Sequence, residues 1–183
     1  MSKEVQNIIR LCQQNDRKAQ RFLFDSYNKK LFAVALNYLQ HNENAKEACQ
    51  EAWVQIFKGL NMYQEQGNFQ AWIKQIVIRV CWKMIRKEKT LVHLDEIAEM
   101  IPNDEVRQIY DKFECEELLD LLTFVPTVSR AVFIMYVVDE LSHREIATAM
   151  DIKEVTSRAH LYKARKLLKE KYFSINKIAG NGL

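Results

Sequence analysis

The sequence predicts an all-α protein: two small helical domains joined by an acidic linker, the C-terminal one a helix-turn-helix. Three observations carry this. Only 4 Gly and 2 Pro occur in 183 residues, too few for the many tight turns of a strand-rich fold. Apolar residues recur at three- and four-residue spacing along most of the chain, the period of amphipathic helices. Charge is segregated, although the net charge is only +3. Lys74, Arg79, Lys83, Arg86, Lys87 and Lys89 face Glu88 alone. Lys153, Arg158, Lys163, Arg165, Lys166, Lys169 and Lys171 face Glu154 and Glu170. Between these lobes, Asp95 to Asp120 is acidic, with Arg107 and Lys112 as its basic residues. Two basic lobes suggest two contacts with a polyanion, although a solvated helix face gives the same pattern.

The first helix is expected from Lys3 to Gln14, on Val5, Ile8, Ile9 and Cys12. Asn15-Asp16 supplies a break and a cap for a longer second helix through Ala19, Leu23, Leu31, Ala35 and Leu39. Asn42 is expected to cap a third helix, in which Ala45, Ala48, Cys49, Ala52, Val54, Ile56 and Phe57 mark the buried side. Gly59 to Asn68 reads as a polar loop. A fourth helix follows from Phe69 to about Lys89, carrying Trp72, Ile73, Ile76, Val77, Val80, Cys81, Met84 and Ile85. Thr90 to Tyr110 reads as a linker. Helices resume near Asp111 and stop before Pro126, and another spans Thr127 to Val138. The domains are therefore expected at 1–90 and 113–175, with a linker at 91–112 and a tail at 176–183.

Several function classes are disfavoured. No apolar run approaches the roughly 20 residues that span a bilayer, and the N-terminus lacks the features of a signal peptide, so a cytoplasmic protein is expected. Cys12, Cys49, Cys81 and Cys115 have no paired spacing and read as small buried residues. His41, His93, His143 and His160 do not fall into a metal-ligand spacing. There is no nucleophile motif and no phosphate-cradling glycine loop. No enzyme, metal or cofactor is expected.

The sharpest local pattern lies between Ser142 and Leu168. Ser142 and Glu145 form a capping box, and Ile146, Ala147 and Met150 face inward on a short helix. Asp151-Ile152-Lys153 makes a tight turn. The last helix then buries Ser157, Leu161, Ala164 and Leu168, and presents Val155, Arg158, Ala159, Tyr162, Lys163 and Lys166 outward. Such a face suits the major groove, where Arg and Lys reach guanine acceptors and phosphates. An ordinary amphipathic hairpin with a basic face fits the same spacing.

These segments resemble the extracytoplasmic-function group of bacterial RNA polymerase sigma factors, within the sigma-70 family. Leu141 to Ala147 (LSHREIA) resembles that family's LSYEEIA segment, and Thr156 to Arg165 its recognition helix. Val125-Pro126 matches the pair that opens the preceding helix. Ala45 to Trp53 is similar to the family's acidic-QE segment, and Phe69-Gln70-Ala71-Trp72-Ile73 to the F-x-A-W-L before its promoter-melting helix. The likeness covers nearly the whole chain in the family's order.

The resemblance implies a factor that docks on the beta and beta-prime subunits of core RNA polymerase and directs it to promoter DNA. It assigns polymerase docking to Glu47, Gln50, Glu51, Trp53 and Phe57. Contact with the minus-ten element falls on Tyr63, Trp72, Lys74, Arg79, Lys83 and Arg86, where a basic groove with stacking surfaces suits a single strand. Reading of the minus-thirty-five duplex falls on Thr156, Arg158, Ala159, Tyr162, Lys163 and Arg165. The family is usually restrained by an anti-sigma factor. This chain departs from the family pattern at Lys46, Trp53 and Arg79, and at Asp151 and Val155, which replace two customary glycines. The rival reading is a free-standing helix-turn-helix regulator, which would bind duplex operators without polymerase.

Overall fold

The computed structural model describes residues 3–63, 68–88 and 120–180, with side chains for 4–63, 68–87 and 120–174. The chain divides into two compact units, Met1–Thr90 and Leu91–Leu183. Among the described residues every regular element is helical.

The first unit holds α1 (Lys3–Gln13), α2 (Arg17–Leu39), α3 (Asn42–Gly59), a 3-10 turn at Leu60–Met62 and α4 (Phe69–Glu88). Asn15 takes a left-handed conformation at φ 63° to end the first helix. Asp16 then caps α2, its carboxylate accepting from the Ala19 N–H at 2.8 Å. α2 stops where Gln40 turns left-handed. The expected cap at Asn42 is displaced by one residue: His41 holds the cap position, with no side-chain bond, and Asn42 is already helical. Gly59 to Asn68, expected as a loop, is in part structured. α3 runs through Gly59, and Leu60 is fully buried in the 3-10 turn, where its carbonyl accepts from the Gln13 amide at 2.9 Å. An apolar side chain within reach of the core takes its turn inward even from a polar stretch.

The core of this unit is built from Ile9, Leu23, Tyr38, Ile56, Phe69, Ile73, Val77 and Ile85. Ala45, Ala48 and Ala52 are completely buried on α3, small residues that let neighbouring helices approach closely. Cys12, Cys49 and Cys81 are free and buried. Burial pushes their thiols up to about 11, 11 and 12, so they stay protonated and unreactive near neutrality. Cys115 and the linker expected at 91–112 lie outside the described residues.

Among the described residues of the second unit, 120–122 are helical, followed by α5 (Thr127–Phe133), α6 (His143–Met150) and α7 (Glu154–Gly180). The helix expected to Val138 changes character at Ile134–Val138, a π-helical turn in which the Asp139 N–H donates to the Ile134 carbonyl at 3.0 Å. The wider turn accompanies an unbroken buried run, Ala131 to Met135, more than one face of a regular α-helix can cover. Ser142 caps α6 in a complete capping box. Asp151, left-handed at φ 54°, ends that helix and turns the chain into α7. Ser157, Leu161, Ala164 and Leu168 are buried as the spacing predicts, and His160 joins them.

Candidate functional site

On α3 the polar residues share one side. Glu47, Gln50 and Glu51 are exposed, flanked by Lys46, which pairs with Glu43 at 2.6 Å. Val54 sits among them at 47% exposure, although its spacing suggests the buried side. Trp53 is the reverse. It is only 4% exposed, donates its indole N–H to Asn28 at 3.0 Å, and packs its ring between Phe24 and Phe57. Trp53 therefore supports the face from behind, while Phe57 is half-buried at its edge.

At about 100° per residue, Trp72, Arg79, Lys83 and Arg86 line one side of α4, all at least partly exposed. Lys74 does not join them. It falls on the side that buries Val77, Cys81 and Ile85 and is itself half-buried. Tyr63 is 8% exposed and lies in an aromatic cluster, 5.3 Å from the Phe69 ring and 5.0 Å from that of Trp72. Gly59 lets Trp72 lie close, since a Cβ there would stand 3.2 Å from the indole. Asn68 begins α4 by accepting from the Gln70 N–H at 2.9 Å. The aromatic cluster is thus anchored to the start of the basic stripe.

On α7 the outward stripe holds Val155, Arg158, Ala159, Tyr162 and Lys166, with Thr156, Lys163 and Arg165 at its flanks. Arg158 and Glu154 are paired across one helical turn at 3.4 Å. Arg165 lies 5.6 Å above the Tyr136 ring, and Tyr136 stacks on His143 with centroids 4.6 Å apart. His143 Nδ1 shares a hydrogen bond with Ser157 Oγ at 2.9 Å. Burial, with Arg158 and Arg165 nearby, lowers the His143 pKa against the opposing pull of Glu154. A second pair, Ser129 Oγ and His160 Nδ1 at 3.0 Å, is buried between α5 and α7. Sequence reasoning does not find these two pairs; their one local signal is a histidine beside the apolar positions of each helix. The Glu145 carboxylate, bonded by the Ser142 hydroxyl and N–H, is held below its usual range.

Comparison with known families decides what these faces belong to. Residues 23–90 match Sigma-70 region 2, and residues 115–168 match Sigma-70, region 4. The chain belongs to the sigma-70 family. Its relatives place it in the extracytoplasmic-function group. It is 22% identical to the ECF RNA polymerase sigma factor SigW of Bacillus subtilis, over 93% of this chain and 97% of that one. It is 20% identical to the ECF RNA polymerase sigma-E factor of Haemophilus influenzae, over 91% and 94%. Two solved structures share the fold. RpoE of Bartonella quintana, crystallised with the anti-sigma factor NepR, matches with a TM-score of 0.53 at 16% identity, over 82% of this chain and 94% of that one. CnrH, in complex with the cytosolic domain of CnrY, gives 0.51 at 14% identity, over 91% and 96%. This sigma factor binds core RNA polymerase and directs transcription initiation at promoters. Among the described residues no helix is long and apolar enough to cross a membrane.

Proposed function

We propose that the two halves of this sigma factor divide initiation among three faces. The polar side of α3, with Glu47, Gln50, Glu51 and the edge of Phe57, docks on core polymerase. Carboxylates and amides ringing a partly exposed aromatic suit a polar-rimmed protein interface. The α4 stripe of Trp72, Arg79, Lys83 and Arg86 holds the melted minus-ten strand, its cations on phosphates and its indole edge near a base. Tyr63 shapes that pocket from within the aromatic cluster. α7 enters the minus-thirty-five major groove, with Arg158 and Lys163 on bases or adjacent phosphates, and Thr156, Ala159, Tyr162 and Arg165 setting its position.

The observation that carries this reading is the segregation of charge. The acidic and amide residues of α3 and the basic stripe of α4 occupy separate exposed faces within the sequence matched to region 2. In domain terms, 1–90 serves docking and melting, 91–112 connects, and 113–175 reads the upstream element, with 176–180, expected in the tail, continuing α7. The protein works in the cytoplasm, by binding and melting, and leaves bond formation to the core enzyme. A restraining anti-sigma factor fits too, since RpoE of Bartonella quintana was solved with one.

The test is holoenzyme assembly by the Gln50→Ala/Glu51→Ala double variant. Loss of core binding with an unchanged helical spectrum supports the α3 assignment. Normal assembly places the docking surface elsewhere.

A further inference from the structure

Val155 is 63% exposed at the start of α7, a large apolar side chain on a face it shares with Arg158, Ala159, Tyr162 and Lys166. Its exposure means that the core of the second unit gains little from it. Its β-branch fixes χ1 and holds both methyls in one place, which suits a shaped contact more than a flexible surface. In the major groove, the one apolar group on a base edge is the thymine C5-methyl. Arg158 lies three residues further on, one helical turn along the same stripe. Recognition-helix residues spaced in this way meet successive base pairs.

We infer that Val155 is a specificity-determining residue that packs on a thymine methyl beside the base pair read by Arg158. The inference deepens the reading of α7 given above and rests on it. Glu154 pairs with Arg158 at 3.4 Å and steadies the guanidinium next to that contact. The element so read contains a thymine, on either strand, flanking a guanine.

The test uses holoenzyme built from the full chain and bacterial core polymerase, on a promoter selected from a library randomised in the minus-thirty-five element. Each thymine of that element is replaced in turn by deoxyuridine, which removes only the methyl. The expected result is a loss of initiation of about fourfold at one position, the worth of one buried methyl group. Val155→Ala, an exposed substitution that favours the helix, loses that penalty while keeping its guanine requirement. Wild-type indifference to deoxyuridine at every position overturns the proposal. So does a penalty that Val155→Ala retains, which would move the methyl contact to Ala159 or Thr156. Failure of the underlying reading looks different: Arg158→Ala would then show the same minus-thirty-five preference as wild type.

Discussion

His143 on α6 and Ser157 on α7 hold the two helices of the helix-turn-helix together through one hydrogen bond, 2.9 Å from Nδ1 to Oγ. Tyr136 stacks on the imidazole, and burial, with Arg158 and Arg165 nearby, disfavours its protonation. The pair fixes α7 against α6.

A pH dependence follows. The folded state holds the His143 pKa below its ordinary value, whereas the unfolded chain takes up the proton near 6.5. The unfolded state thus binds more protons once the pH drops below that point. This contribution to stability is complete above about pH 6.5 and declines as pH falls toward the lower folded-state value. Hydrogen exchange of α6 and α7 amides, corrected for intrinsic rates, is expected to quicken over that window, and His143→Asn to flatten the response. Equal pH profiles for both proteins would show that His143 does not carry it.

The capping box makes a more local prediction. Ser142 Oγ accepts from the Glu145 N–H, and the Glu145 carboxylate accepts from the Ser142 N–H at 2.8 Å. Ser142→Ala removes the first bond, together with the hydroxyl's own bond to that carboxylate, and is expected to cost about 1 kcal/mol, read by urea unfolding followed by circular dichroism.

Much of this is legible in the sequence, for identifiable reasons. Ser142 and Glu145 are three residues apart, so their pairing is a local matter that spacing reveals. The buried set Ser157, Leu161, Ala164 and Leu168 follows a helical period and needs no partner to be seen. Trp53 and Val54 exchange the sides that their spacing and family likeness suggest, because they are adjacent on the helix. Which of them turns inward depends on Phe24 and Asn28 of α2, some 25 residues distant in sequence. Lys74 joins the basic residues of α4 by composition, whereas the helical angle separates it from them. The histidine pairs depend on partners 14 and 31 residues away, and no local spacing announces these.

The burial of Trp53 separates stability from docking. Trp53→Ala empties a packed site and is expected to lower unfolding free energy by about 3–5 kcal/mol, read by urea unfolding with Trp72 and Trp82 as fluorescent reporters. Gln50→Ala/Glu51→Ala is expected to move it by less than about 0.5 kcal/mol, as for ordinary surface changes.

On α4, Lys83→Ala/Arg86→Ala is expected to reduce open-complex formation and to flatten its salt dependence. The log–log slope should fall by about 0.7 for each phosphate left without its cation. Lys74→Ala, off the stripe, is expected to leave the slope unchanged. Permanganate footprinting across a salt series reads both.

On α7, Arg158→Ala is expected to weaken promoter recognition by about 1–3 kcal/mol if its guanidinium reads a guanine bidentately, measured as competition between promoters differing at single minus-thirty-five positions.

The most direct test of sigma activity is run-off transcription by bacterial core polymerase over a pool of genomic promoters, with and without this protein. Transcripts from defined start sites are expected only when the protein is present, with two shared elements upstream. Duplex DNA binding by the free protein, with no core binding and no new transcript, would contradict it.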